Sequence, residues 1–488
     1  MDTLTFAQKE NIGFQYVLDN LHLCSPYGQE LLRELKPMGP AAKTELLRQL
    51  GNIRRILDNE SCRRELQQLL RVLMGLKMIR PTAQKCLETD LNEIELFEIK
   101  RFLLQSQDIS DLFGRIQPVL RLEGITLGDT RDALDILDPD GNRVASFFIP
   151  DGASETLAAL RREKRDLESR ISDVPDQTLL SRRTQIAALE EQEEQRIRGE
   201  MCQKLRPYIP TILANMQAIA DLDLTAEKAR IAHFYGATEP VLTDNNLEMT
   251  DMINPRIADL LKSRGGAFTP ISIGLEKGAT VITGANMGGK SVALKTIALN
   301  ILLVHCGFFP FASAARVPLF DGLHIISEDL ESIDRGLSSF GGEMVRFSRM
   351  TEQLRKGFHF ILLDEFARGT NPQEGTAIVR AVTRYLNGCP AISVLATHYD
   401  DVAPWAKAHY QVAGLKDLDW QALSAELRSL SADEGAGCIA KHMNYGLFRV
   451  ETPQDCPREA LHICRLLGMP EEILRYAEKT VFQGTEIY

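Results

Sequence analysis

A glycine-rich segment with the spacing of a phosphate-binding loop lies near the middle of the 488-residue chain. It reads Gly284-Ala285-Asn286-Met287-Gly288-Gly289-Lys290-Ser291, which fits the pattern G-x-x-x-x-G-K-[ST]. An apolar strand, 281–283, precedes it and an amphipathic helix, 292–304, follows it, as such a loop requires. Backbone N–H groups would surround the phosphates, Lys290 would bridge the β- and γ-phosphates, and Ser291 would ligate Mg²⁺. The alternative is a chance match in a loop that contains glycines, and the flanking elements disfavour it.

Two further segments could complete an ATP-hydrolysing site. The apolar run 360–363 leads into Asp364 and Glu365, and the carboxyl ends of strands in an α/β sheet open the ligand crevice. Asp364 would hold Mg²⁺, and Glu365 would orient and deprotonate the attacking water. His398 ends another apolar run and could contact the γ-phosphate or that water; for a lone histidine the alternative is a structural role. The guanine-selecting motif N-K-x-D does not occur, so ATP is the expected nucleotide.

Two serines, Ser338 and Ser339, precede a segment whose apolar residues recur at helical spacing. At a helix N-terminus, their hydroxyls and N–H groups would face an anion. They could form a plain N-cap, or they could act in trans on the γ-phosphate of a partner's ATP, as in ABC-type ATPases. The order of phosphate loop, serine-rich helix start, Asp-Glu strand and histidine is the order of that class.

The first half of the chain is predicted to be mainly helical. Alternation around Asp138-Pro139-Asp140-Gly141-Asn142 predicts a β-hairpin over 133–150. Residues 154–205 are strongly charged with a thin apolar stripe and are broken at Pro175, which predicts two long helices folded back as an antiparallel hairpin. The basic residues expected near its tip could contact phosphates, although a solvated charged face is the simpler reading; they are Arg170, Arg182 and Arg183.

The second half alternates continuous apolar runs with helical segments, which predicts a parallel α/β sheet buried on both faces. The formal net charge is −11, so bulk charge does not draw the chain to nucleic acid. Nine scattered cysteines form no C-x-x-C pair, which favours reduced thiols and indicates no zinc site. A secretory signal and an apolar run long enough to span a membrane are both missing, so we expect a cytoplasmic protein.

The motifs resemble those of MutS-family ATPases. The segment Thr283–Ser291 is similar to that family's TGPNMGGKS loop, with Ala285 in place of proline. The family's S-T-F-x-x-E-M is matched at 338–344, its D-E-[IL]-G-R-G-T at 364–370, and its A-T-H-[YF] at 396–399. Residues 466–474 look like the tail that this family uses in dimerisation.

The resemblance implies a multidomain α plus α/β architecture. Residues 1–240 would form a helical core and lever that carries the helical hairpin. Residues 241–488 would form an ABC-type P-loop ATPase domain, with a helical dimerisation element over 440–488. The resemblance also implies ATP and Mg²⁺ as cofactors, the roles given above for the motif residues, and stacking of Phe268 on adenine. The Phe-x-Glu wedge of mismatch-sensing relatives does not occur, so we expect a short form without the mismatch reader.

Two functions agree with this reading. One is a DNA-associated ATPase of the mismatch-repair or recombination type, in which ATP opens and closes a homodimer or a heterodimer with a paralogue. The other is an ATP-driven remodelling factor whose client is a protein, such as a B12-dependent aminomutase. The acidic charge favours the second, and the MutS-like architecture favours the first.

Overall fold

The structure is a computed structural model that describes residues 4–146, 148–173, 177–284, 289–327, 339–399, 401–414, 423, 444–451, 464–465 and 469–482. The helices are α1 (Phe6–Asn11), α2 (Phe14–Asp19), α3 (Pro26–Arg33), α4 (Lys43–Asp58), α5 (Arg63–Leu73), α6 (Arg80–Glu88), α7 (Glu93–Leu120), α8 (Arg131–Leu137), α9 (Glu155–Asp173), α10 (Gln177–Leu205), α11 (Ile209–Tyr235), α12 (Pro255–Ser263), α13 (Gly289–His305), α14 (Ser339–Gln353), α15 (Pro372–Asn387) and α16 (Glu471–Phe482). The strands are β1 (Val241–Thr243), β2 (Leu247–Met252), β3 (Ile271–Leu275), β4 (Gly278–Thr283), β5 (Ala314–Pro318), β6 (Gly322–Ile326), β7 (His359–Asp364), β8 (Ala391–Ala396), β9 (Ala408–Gly414) and β10 (Asn444–Arg449).

The chain divides into two compact units. One, the helical unit, comprises His22–Glu34 and Asn52–Ala229. The other comprises Met1–Leu21, Leu35–Gly51 and Arg230–Tyr488, and it is called the ATPase unit because it contains the predicted ATPase motifs. The sequence predicts a helical domain over 1–240, whereas the division into compact units groups 1–21, 35–51 and 230–240 with the ATPase unit. The first of these segments belongs to it through contacts remote in sequence: the Gln8 side chain donates to the Ile325 carbonyl (2.9 Å), and the Asn254 side chain donates to the Ile12 carbonyl (2.9 Å).

The long helix α7 organises the core of the helical unit. A capping box in which Asn92 and Glu95 exchange hydrogen bonds starts the helix. Its apolar residues recur every three or four positions, so one face is buried along the whole length. That face packs with α5, α6 and α8. The buried apolar residues of α7 are Leu96, Ile99, Phe102, Leu103, Ile109, Leu112, Phe113, Ile116 and Leu120.

Helices α9 and α10 form the antiparallel pair predicted from the sequence. Between them run ion pairs such as Arg161–Glu194 (2.8 Å) and Lys164–Glu190 (2.6 Å). Each basic residue proposed near the tip also contacts a carboxylate, and the three pairs are Arg170–Asp166, Arg182–Glu163 and Arg183–Glu168. These partners favour the solvated charged face over the phosphate-contacting one.

The β-hairpin predicted over 133–150 is wrong. Residues 131–137 form α8, which buries Ala133, Leu134 and Leu137 on one helical face. The predicted turn is present, since Gly141 N–H donates to the Asp138 carbonyl (2.9 Å). No strand lies within 133–146 or 148–150. A five-residue apolar run fits one helical turn as well as a strand, so alternation alone could not decide between them.

The ATPase unit contains a six-stranded sheet in the order β10-β9-β4-β8-β7-β6. Strands β9, β4, β8, β7 and β6 are mutually parallel, and β10 is antiparallel to β9. This confirms the predicted parallel α/β sheet. Helix α13 is buried along nearly its whole length, and the apolar residues of α14 and α15 pack in a core with β7 and β8. A second sheet has the order β1-β5-β2-β3.

No helix in the described part of the chain combines the length and the apolar character needed to cross a membrane.

Candidate nucleotide-hydrolysing site

A single row of strand pairing aligns the ends of three parallel strands. Ala396 of β8 pairs with Ile282 of β4 on one side and with Asp364 of β7 on the other. The segments that follow these strands therefore leave the sheet at one edge, which is the carboxyl edge where parallel α/β sheets bind ligands. The phosphate loop follows β4, Glu365 follows β7 and His398 follows β8.

The described ends of the phosphate loop are joined by Lys290. This side chain is 3% exposed, and its Nζ donates to the Gly284 carbonyl at 2.7 Å. The contact links the second residue of α13 to the residue that directly follows β4. Residues 285–288, predicted to bind phosphates, lie outside the described residues, so the predicted role of Ala285, Asn286, Met287 and Gly288 stays a prediction.

Two glycines of the loop lie directly against Val412 of β9. A Cβ atom added to Gly289 would lie 2.5 Å from Val412 Cγ1, and one added to Gly284 would lie 3.1 Å from Val412 Cβ. Gly284 also has φ = +139°, a conformation that L-residues rarely adopt. The pattern of glycines at 284 and 289 is thus required by the neighbouring strand as well as by the phosphate chemistry.

The strand beneath the loop is fixed by a buried polar pair that the sequence analysis did not identify. Thr283 Oγ1 and His409 Nε2 lie 2.8 Å apart, across the β4–β9 pairing. Burial lowers the pKa of His409 below its usual value, which keeps the ring neutral at physiological pH. Nothing in the local sequence indicates this contact, because it joins residues 126 positions apart.

The predicted magnesium ligands lie next to each other. Ser291 Oγ donates to Asp364 Oδ1 at 3.2 Å. Burial raises the pKa of Asp364, and the nearby Glu365 adds to this, while Ser291, Lys295 and Lys290 oppose it. A hydroxyl and a carboxylate are hard oxygen donors of the kind that Mg²⁺ prefers. The donor set at this position therefore fits a magnesium ion bound with a nucleotide phosphate.

Glu365, the predicted base, has an unusual backbone. Its φ is +49°, in the left-handed region, and its N–H donates to the Ala396 carbonyl (3.0 Å). Strained backbone of this kind is concentrated at functional sites. The carboxylate is bound by Arg368 at 2.7 Å. The sequence analysis assigned no role to Arg368, although it lies within the quoted D-E-x-x-R segment.

The other predicted residues lie in the ATPase unit as follows. His398 is half-buried, and its ring lies 4.5 Å from the ring of Tyr399. Ser339 begins α14, whereas Ser338 is outside the described residues. Phe268 is half-buried in the loop before β3, and its adenine contact stays a prediction.

A lysine, a hydroxyl and a strand-end acid lie at the carboxyl edge of a parallel sheet, next to the described ends of a glycine-rich segment. This arrangement is typical of P-loop nucleotide-binding domains. Within that class, residues 280–483 match the family model described as MutS domain V. This part of the chain is therefore similar to domain V of MutS proteins.

Relatives that share this region are named endonuclease MutS2. The protein of Thermomicrobium roseum is 29% identical over 315 residues, which is 63% of this chain and 37% of the relative. That of Levilactobacillus brevis is 28% identical over 300 residues, 61% of this chain and 35% of the relative. That of Lacticaseibacillus casei is 35% identical over 209 residues, 42% of this chain and 26% of the relative. The chain thus spans well under half the length of these proteins, and the nuclease activity in their name is a property stated of them.

The contact between Gly289 and Val412 yields a paired prediction. Gly289→Ala should weaken ATP binding by about tenfold or more, because the β-branched Val412 cannot move aside cheaply and the loop must shift. Val412→Ala alone should leave binding nearly unchanged, and the Gly289→Ala/Val412→Ala double variant should recover most of the lost affinity. Titration with a fluorescent ATP analogue measures all three. A double variant as weak as Gly289→Ala would show that the methyl group disturbs phosphate binding directly.

Proposed function

We propose that the protein hydrolyses Mg²⁺-bound ATP at the carboxyl edge of the six-stranded sheet. The observation that carries the proposal is the contact between Ser291 and Asp364, because these two oxygen donors would hold Mg²⁺ next to the bound phosphates. The bound ion would neutralise charge on the phosphate oxygens. Lys290 would contact the β- and γ-phosphates once ATP replaces its present hydrogen bond to Gly284.

The hydrolytic step follows from the position of Glu365. Its carboxylate would accept a proton from a water molecule as the water oxygen bonds to the γ-phosphorus, and the bond from that phosphorus to the β–γ bridging oxygen breaks. Arg368, which contacts the carboxylate now, would hold it in orientation. His398, leaving the sheet beside Glu365, would hydrogen-bond the γ-phosphate or the water. The products are ADP and inorganic phosphate.

The serine pair is proposed to act across a dimer. Ser339 begins α14, a 15-residue helix whose N-terminal end carries partial positive charge. In the dimer, Ser338 and Ser339 of one copy would approach the γ-phosphate held by the other copy, so that ATP joins the two ATPase domains. The helical element over 440–488, which includes α16, would support the dimer. A homodimer is the simplest arrangement, and a paralogue could take the place of the second copy.

DNA is proposed as the client of this ATPase. The support is the similarity to MutS domain V and to proteins named endonuclease MutS2. The paired arginines of the α9–α10 hairpin do not offer a strongly basic surface, so DNA contact would depend on ring closure more than on bulk charge. The alternative of a protein client, such as a B12-dependent aminomutase, gains no support from the relatives cited above.

Glu365→Gln tests the hydrolytic role and the client together. The variant should bind ATP normally, but its rate of hydrolysis should fall by about a hundredfold or more, because the water loses its base. With ATP present, it should retain linear or branched duplex DNA at low salt and release it as salt rises. Steady-state turnover, ATP titration and filter binding provide the measurements.

The matched control is Glu374→Gln, an exposed glutamate of α15 nine positions further along the chain. It should behave as wild type in every assay. Normal turnover by Glu365→Gln would remove Glu365 from the base role. If Glu365→Gln loses turnover but retains no DNA at low salt, the proposed ATPase activity is supported and the proposed DNA client is contradicted.

Mixing two variants that are impaired in hydrolysis tests the action in trans. Lys290→Ala should not bind ATP but retains its serines, and Ser338→Ala/Ser339→Ala should bind ATP but lack them. If the serines act across the dimer, each mixed dimer contains one site that combines bound ATP with intact serines. The ATPase activity of the mixture should then rise above that of either variant alone, in proportion to mixed-dimer formation. Mixtures no more active than their components, with mixed dimers verified by tagged copies, would place the serines in their own subunit.

A further inference from the structure

Helix α14 is linked to the loop of the proposed base by one buried glutamate. Glu343, four residues after the start of the helix, is 3% exposed. Its Oε2 accepts a hydrogen bond from the backbone N–H of Ala367 at 2.8 Å. Ala367 lies two residues after Glu365 on the same short loop. Burying a carboxylate costs free energy unless the carboxylate is hydrogen-bonded. The hydrogen bond to Ala367 offsets part of that cost for Glu343.

The peptide group of Ala367 is held from both sides. Its carbonyl accepts from the Tyr399 hydroxyl at 2.9 Å, while its N–H is held by Glu343. Tyr399 directly follows His398 in the segment after β8. Ala367, which follows β7, is therefore hydrogen-bonded both to α14 and to the segment after β8. The space around it is tight, because a Cβ added to Gly375 would lie 2.2 Å from the Tyr399 hydroxyl.

Ala367 needs such support because of its own conformation. Its φ is +63°, in the left-handed region that disfavours residues with a Cβ. Glu365 is also left-handed, at +49°, so two strained residues lie on one loop with a single residue between them. That residue, Phe366, contacts Phe347 of α14, with ring centroids 5.2 Å apart. Helix α14 therefore holds the loop through the Glu343–Ala367 hydrogen bond and the Phe347–Phe366 ring contact.

We infer that Glu343 is a positioning residue that couples the start of α14 to the base Glu365. The inference rests on the proposed function, in which the start of α14 meets the γ-phosphate of the partner's ATP and Glu365 activates water. A displacement of α14 upon that contact is passed by the Glu343–Ala367 hydrogen bond to a loop whose strained backbone has few alternative conformations. Engagement of the serines on one copy thereby sets the carboxylate of Glu365 in that same copy, so the two sites of the dimer are linked.

Amide hydrogen exchange of the nucleotide-free protein tests the structural half of this inference. Glu343→Ala should speed exchange at the Ala367 amide by about tenfold or more, since the hydrogen bond that protects it is lost. Glu343→Gln retains a carbonyl oxygen and should keep most of the protection. Glu352→Ala, an exposed position on the same helix, serves as the control and should leave exchange unchanged. Equal protection in Glu343→Ala and wild type would overturn the inference.

Kinetics test the coupling half. Glu343→Ala should lower kcat by about tenfold or more with an unchanged dissociation constant for ATP, because it disturbs the base and leaves the phosphate loop intact. Glu343→Gln should restore most of kcat. In the Ser338→Ala/Ser339→Ala background, Glu343→Ala should cause little further loss, since the signal it transmits is already absent.

The outcomes separate this inference from the proposal on which it depends. A multiplicative loss in the combined variant, or a normal kcat in Glu343→Ala, overturns the coupling while wild-type hydrolysis still supports the proposed function. A wild-type protein that does not hydrolyse ATP overturns both. Thermal unfolding of each variant, compared with Glu352→Ala, shows that a loss of kcat with unchanged ATP affinity does not come from unfolding.

Discussion

The arrangement of this site depends on the register of three parallel strands. Ile282, Ala396 and Asp364 pair in one row across β4, β8 and β7. A slip of one residue in β7 would move Asp364 by about 3.3 Å along the strand and turn its side chain to the opposite face. Its contact with Ser291 would then be lost. The apolar residues buried on both faces of these strands fix the register, and so the core determines where the proposed magnesium ligands lie.

Around this rigid row, the structure places its strain in short loops. Gly284, Glu365 and Ala367 all have positive φ and lie at the same edge of the sheet. Each is held by a side-chain contact, from Lys290, Arg368 and Glu343 respectively, and the last of these comes from another element, α14. A rigid sheet with strained, cross-linked loops at its carboxyl edge gives a site that is largely formed without nucleotide. In the proposed function, the binding energy of ATP would then be available for closing a dimer.

Much of this site could be predicted from the sequence because its parts are local. The glycine pattern, the strand before it and the helix after it occupy one continuous segment, and the Asp-Glu pair follows directly on an apolar run. The joining contacts could not be predicted in the same way. Thr283–His409 and Glu343–Ala367 connect distant segments through single hydrogen bonds, and neither residue pair has a spacing that signals it. The conformation of Ala367 is also hidden, since alanine gives no sign of a left-handed backbone.

The errors in the fold have a similar origin. Ala133 and Leu134 belong to a short apolar run that fits either a strand or a helical turn. The helices that pack around this run stabilise the helical conformation. The N-terminal segment was placed with the helices that follow it in sequence, whereas Asn254 ties Ile12 to the ATPase unit. In both cases the structure depends on contacts between residues that are far apart in the sequence, which local sequence patterns do not reveal.

Asp364→Asn tests the central claim most directly. Burial raises the folded-state pKa of this carboxyl above its unfolded value, so the folded state favours the protonated form. The contribution of Asp364 to the free energy of unfolding therefore falls as pH rises from the unfolded-state pKa through the folded-state pKa. At neutral pH the ionised carboxylate destabilises the protein.

Without nucleotide or magnesium, Asp364→Asn should raise the unfolding midpoint at neutral pH by about 2 °C or more, an advantage that shrinks as pH falls. The same variant should lose the gain in midpoint that Mg²⁺ and ATP give the wild type. Asp244→Asn, an exposed carboxylate in the ATPase unit, should do neither. A less stable Asp364→Asn protein that still responds to Mg²⁺ and ATP as the wild type does would contradict the account.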